Sequence, residues 1–218
     1  YGVALSLIIL IALAGCGGIF GSESPSADER SPSPSTTAED TTTDVNESQS
    51  FTVDSSTGEF LIRTSELPAG YVLDGKRLTT QSNASNETTI QFDEYNIRKL
   101  HERVFFRADE DITGPELILS SALVFQSNQS AKEYVSTFSG SLSEEATANS
   151  VTIGERISAQ QIRFENERGL QNVVVIGRID NLVVYITSSD PNTHYPDQTQ
   201  SLFINVYAEA QQHASGTG

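Results

Sequence analysis

Two contrasting stretches precede the periodic part of the chain. From Val3 to Ala14 nearly every position is apolar, a run of about 12 residues that suits a signal-peptide core and falls short of the roughly 20 needed to span a bilayer as a helix. From Gly17 to about Ser50 almost nothing is apolar. Ser, Thr, Gly and acidic residues leave no face to bury, and Pro25, Pro32 and Pro34 interrupt regular structure, so this stretch reads as a disordered, extended tether. From Phe51 onward apolar residues recur at strand and helix spacings over roughly 160 residues, enough for a single domain, 51–213, with its own core and a disordered tail at 214–218.

Within that domain the pattern predicts short extended pieces at Glu59 to Arg63 and Tyr71 to Leu73, then strands near Ile97 to Phe106 and Leu117 to Gln126. A helix follows, with Ser127 or Asn128 as its cap and Ala131, Tyr134, Val135 and Phe138 at helical spacing. Further strands are expected near Ile157 to Glu165, Leu170 to Ile179 and Leu182 to Ser188, the last two joined by a tight turn at Asp180-Asn181. Val173, Val175, Gly177 and Ile179 alternate with Val174, Ile176 and Arg178, so both faces of this hairpin are largely apolar and it is expected at the centre of the sheet. A closing helix runs from about Asp197, its expected cap, to Gln212, with Leu202, Val206 and Ala210 inward. The element order predicts an α+β fold, an antiparallel sheet with two helices packed on one face, and reads as a duplicated β-β-β-α unit without a residue-level repeat. That order resembles small secreted domains of the PsbP-like kind.

The apolar leader ends on Leu13-Ala14-Gly15-Cys16, and Cys16 is the chain's one cysteine. The string resembles the lipobox of bacterial and archaeal lipoproteins: an aliphatic residue, two small residues and the cysteine that receives the lipid. The resemblance implies cleavage of a signal peptide at 1–15, a diacylglycerol-type thioether on Cys16 and retention on the outer face of the cell membrane, since two acyl chains hold stably where one does not. With Cys16 modified, no thiol remains for a disulfide, and stability must come from packing. Opening on Tyr1-Gly2-Val3 without a methionine, the leader reads as truncated at its start.

Charge adds a habitat. Acidic residues outnumber Lys and Arg 29 to 13, for a net charge of -16. Lysine occurs only as Lys76, Lys99 and Lys132. Acid excess with scarce lysine resembles haloarchaeal proteins, in which salt screens the self-repulsion. With no basic stripe to neutralise phosphates, nucleic acid is not an expected partner.

Candidate chemistry is sparse. The chain has no GxSxG elbow, HExxH, P-loop or paired Cys/His zinc spacing. One loop gathers Asp190, His194, Tyr195 and Asp197 closely enough for a metal or acid/base site; the simpler reading makes Asp190-Pro191 a turn and Asp197 a helix cap. His101-Glu102 reads as a surface pair, His213 as part of a fraying final turn, and Asp109, Glu110 and Asp111 as a hydrated acidic loop. Sequons at Asn46, Asn83, Asn86 and Asn128 are candidate glycosylation sites. The expectation is therefore a lipid-anchored surface protein with a non-enzymatic binding or accessory domain, needing no cofactor, whose partner is a cell-wall component or another exported protein. The alternative is an extracellular hydrolase or metal-dependent enzyme using the Asp190 to Asp197 loop.

Overall fold

The computed structural model describes residues 51–85, 92–142, 146–153 and 157–216. Seven strands, β1 (Tyr71–Thr80), β2 (Ile97–Arg107), β3 (Leu117–Phe125), β4 (Thr147–Ile153), β5 (Ile157–Glu165), β6 (Gln171–Ile179) and β7 (Leu182–Asp190), form one sheet. The two long helices are α1 (Asn128–Leu142) and α2 (Pro196–Ala214). The sheet order is β1-β2-β3-β7-β6-β5-β4, antiparallel throughout, so the fold is α+β as expected. None of the helices among the described residues is long and apolar enough to cross a membrane.

The apolar hairpin lies where its two-faced pattern puts it. β7 is the middle strand with β6 beside it, and every residue of β7 is buried. Asp180 makes the tight turn at φ +50°, a left-handed conformation that Asp tolerates. Alternate residues then feed two cores. Val175, Val184, Ile186, Ile118 and Ala122 meet Leu202, Phe203, Val206, Tyr207 and Ala210 of α2. Val174, Ile176, Val183, Tyr185, Leu119 and Leu123 meet Ala131, Tyr134 and Phe138 of α1.

The helices thus pack on opposite faces, which corrects the expectation that both lie on one. The reason is connectivity. After β3, in the middle of the sheet, α1 crosses one face to deliver the chain to β4 at the far edge; the meander β4 to β7 returns to β3, and α2 closes the other face against β6 and β7. A two-fold axis exchanging adjacent antiparallel strands stands perpendicular to the sheet and keeps both helices on one side, so the two halves are not two-fold copies. β4 was also absent from the expected elements; its sequence TANSVTI is mostly small and polar, and Thr147 to Ser150 are exposed.

The segment expected to be extended at Glu59 to Arg63 instead begins with a 3-10 turn at Thr57–Phe60. It belongs to a strap, residues 51–67, that crosses the α2 face and is fastened by side chains rather than by strand pairing. Asn181, fully buried, accepts from the Phe51 N–H at 3.1 Å and donates to the Phe51 and Phe125 carbonyls at 2.8 and 2.9 Å. Lys99 donates to the carbonyls of Val53 and Ser55, Arg103 to those of Leu61 and Ile62, and Ser120 accepts from the Ile62 N–H. Phe51, Phe60, Leu61 and Ile62 fill the space beside α2. His213 is exposed, yet its ring stacks on Phe51 at 5.7 Å and meets Phe60 edge-on at 5.2 Å, which ties the last turn of α2 to the strap instead of leaving it to fray.

Candidate functional site

The loop after β7 holds its residues for structural reasons that can be followed one by one. Asp190 ends the central strand and is 4% exposed. Its Oδ1 accepts from the backbone N–H groups of Asn192 at 2.9 Å and Thr193 at 3.2 Å, the Asx geometry of an Asp-Pro turn. Its Oδ2 faces the Arg107 guanidinium at 4.0 Å. Arg107 in turn donates to the carbonyls of Ile112 and Gly114, and so links the β2–β3 loop to the end of β7. Beside them Tyr71 donates to the Pro115 carbonyl at 2.7 Å; burial pushes its phenol pKa up, with the nearby Arg107 charge acting in opposition. A Cβ on Gly114 would stand 2.5 Å from the Tyr71 hydroxyl, so only glycine allows the loop this close.

Asp197 does not cap α2. The cap position is Tyr195, with no side-chain cap bond, and Pro196 opens the helix. Pro196 shifts the start upstream because its fixed φ suits the first helical position and it has no N–H to lose. Thr199, two residues beyond Asp197, takes over the fastening role: its hydroxyl donates to the Tyr195 carbonyl at 2.6 Å and lies 2.6 Å from the Ser188 hydroxyl. Asp197 is exposed in the first turn, where a negative charge suits the helix dipole. His194 is half-buried, and its Nε2 is enclosed without a hydrogen-bond partner. Among the described residues no group of three or more His, Cys, Asp and Glu side chains converges as a metal site would require. The loop therefore brings Asp190 to Arg107 and leaves Asp197 outside.

A second polar group lies in the sheet itself. His101 and Glu102 are not a surface pair: strand alternation sends them to opposite faces. His101 lies under the strap, 3.3 Å from the Thr57 hydroxyl, and burial together with Arg103, Lys99 and Lys76 lowers its pKa. Glu102, 2% exposed, lies on the α1 face in the cross-strand row Arg77, Glu102, Ser121, Tyr185. Arg77 donates to Glu102 Oε2 from Nε at 2.8 Å and from Nη2 at 2.7 Å, and Ser121 reaches Oε1 at 3.4 Å. Burial raises the Glu102 pKa more than Arg77 lowers it, and burial likewise pushes the Tyr185 and Tyr134 phenols up. The sequence carried a signal for this: Leu100, Glu102 and Val104 alternate as a mainly apolar face, so an acid there faces inward.

The remaining candidates scatter. Ser127 caps α1, accepting from the Ser130 N–H at 3.1 Å, and Asn128 opens the helix with its Oδ1 enclosed and unpartnered. Asn83 is exposed in the turn after β1, where its amide nitrogen donates to the Leu78 carbonyl at 3.3 Å. Asp109 accepts from the Asp111 N–H at 3.0 Å in an exposed turn. Cys16, the leader, the tether, Asn46 and Asn86 lie outside the described residues.

No known family matches the chain, and no curated protein does. Among solved structures it is similar to the crystal structure of the extracellular domain of PknH from Mycobacterium tuberculosis, at 9% identity and a TM-score of 0.47, over 73% of this chain and 94% of that one.

Proposed function

We propose that the chain is a lipid-anchored protein of the outer cell surface whose folded domain binds a partner and does not catalyse a reaction. The arrangement around Asp190 carries the non-catalytic half of this reading: one carboxylate oxygen is taken by two amides of its own loop and the other faces Arg107. Asp190 thus has a structural task, holding the turn after β7, that accounts for its burial without a reaction. Leu13-Ala14-Gly15-Cys16 after an apolar run supports the anchor, and the charge of -16 with three lysines supports a haloarchaeal, high-salt setting. The partner is a wall component or another exported protein, and Asn83 and Asn128 are candidate glycan acceptors on the described part.

Replacing Cys16 with Ser tests the anchor: the protein should appear in the medium or keep its leader, whereas a processed wild-type chain with an unmodified Cys16 by mass spectrometry would refute it. Among the described residues the enclosed Nε2 of His194 is the feature that favours the enzymatic alternative. Melting curves with zinc and with chelator decide it; a metal-dependent rise in Tm that disappears in His194→Ala would favour a metal enzyme.

A further inference from the structure

The sheet has two edges, and they differ. β4 presents small and polar residues, exposed from Thr147 to Ser150. β1 exposes Val72 (38%), Leu73 (45%) and Leu78 (48%), three of the six large apolar side chains most open to solvent among the described residues. Nine of its ten residues pair with β2 on one side; beyond that pairing the Asn83 side chain accepts from the Thr80 N–H and donates to the Leu78 carbonyl, and none of the described strands pairs with the other side. An edge strand presents unpaired N–H and C=O groups along such a side and can accept an added strand. Register assigns the side chains to faces. Leu73, Lys76 and Leu78 lie opposite Phe105, Arg103 and His101 on the α2 face, at equal spacing because a bulge between Leu73 and Gly75 absorbs Asp74. The face thus reads apolar, cationic, apolar.

That order selects against a second copy. In an antiparallel pairing of β1 with itself, placing Leu73 against Leu78 sets Lys76 against Lys76 of the copy, and like charges directly opposite are destabilising. An acid at the same point is favoured, and the field is already positive: Lys99 and Arg103 stand on the same face, and with Lys76 they depress the His101 pKa. We propose that β1 is a docking edge for an extended segment of a different polypeptide, adding an eighth strand with an acidic side chain over Lys76 between apolar ones over Leu73 and Leu78. This rests on the reading of the domain as a binding module and is independent of the anchor.

Two capped hexapeptides, Val-Thr-Glu-Thr-Val-Thr, which sets Val, Glu and Val on one face, and its analogue with Lys for Glu, serve as probes of the full chain, followed by hydrogen exchange. The Glu peptide should slow exchange of β1 amides between Lys76 and Leu78, short of Thr80, whose N–H is already bonded to Asn83, and the Lys peptide should bind roughly two- to fivefold more weakly, the range of an exposed ion pair. Lys76→Glu should reverse that preference and leave the protection of β6 and β7 unchanged. Equal binding of both peptides, an unchanged preference in Lys76→Glu, or protection at β4 instead of β1 would overturn the assignment, as would concentration-dependent self-association through β1. Cleavage of a peptide in the same samples would count against the non-enzymatic reading alone, because β1 protection is read separately.

Discussion

Asp190 and Asp197 are seven positions apart, and the structure separates their roles. Removing the Asp190 carboxylate takes the acceptor from two loop amides and an anion from beside Arg107, which keeps its bonds to Ile112 and Gly114, so Asp190→Ala should lower stability by about 1–2 kcal/mol in denaturant unfolding. Asp197→Ala, which loses only a favourable charge in the first helical turn, should cost less. Glu102 supplies a pH test. Its folded pKa lies above the unfolded value near 4.5, mainly through burial, so the ionised carboxylate opposes folding. Its contribution is complete below that unfolded value and is lost as pH rises through the raised folded pKa. Wild type should therefore gain stability relative to Glu102→Gln as pH falls through this window; a difference that ran the other way would contradict the burial argument. Arg107 is not legible from sequence as the loop's partner, and Glu102 reads there as a surface residue. Arg107 is distant in sequence from Asp190, and only strand register shows that Arg77 stands opposite Glu102.

Elements were more legible than contacts. The β6–β7 hairpin, the two long helices and the antiparallel sheet follow from β-branched runs and helical spacing, which are local. Which face each helix covers is not local: it depends on where β4 inserts, and β4 lacks the apolar alternation that would announce it. The strap was misread because its hydrogen bonds come from distant side chains rather than from a neighbouring strand. Two substitutions test the packing. A Cβ on Gly177 would lie 2.7 Å from Phe203 Cζ and 3.1 Å from Tyr207 Cε2, so Gly177→Ala should push α2 off β6 at a cost of about 1–3 kcal/mol. Adding Phe203→Leu should recover part of that loss in thermal melts. Asn181→Ala strands the Phe51 N–H and two carbonyls in the core and should cost at least about 2 kcal/mol, with faster exchange at Phe51 and Phe125.

Over the described part of the molecule the scarce cations divide: Arg63, Lys76, Arg77, Lys132, Arg163 and Arg168 are exposed, while Lys99 and three arginines turn toward the backbone. Lys99, Arg103, Arg107 and Arg178 bond backbone carbonyls, and Arg77 is held by Glu102. Acidic residues still outnumber Lys and Arg 29 to 13 over the full chain, for a net charge of -16. Raising salt from low to molar levels should therefore raise the Tm, because screening removes self-repulsion and salting-out favours burial. A flat or falling Tm would argue against adaptation to brine. The inward bonds also determine how the domain answers a pull. Tension arriving from the N-terminal side enters at Phe51, whose amide and carbonyl are both gripped by Asn181 in the turn between β6 and β7. Through that contact part of the load reaches the turn between β6 and β7, strands with partners on both sides. The first bonds such a pull meets in the described chain are those of a single asparagine.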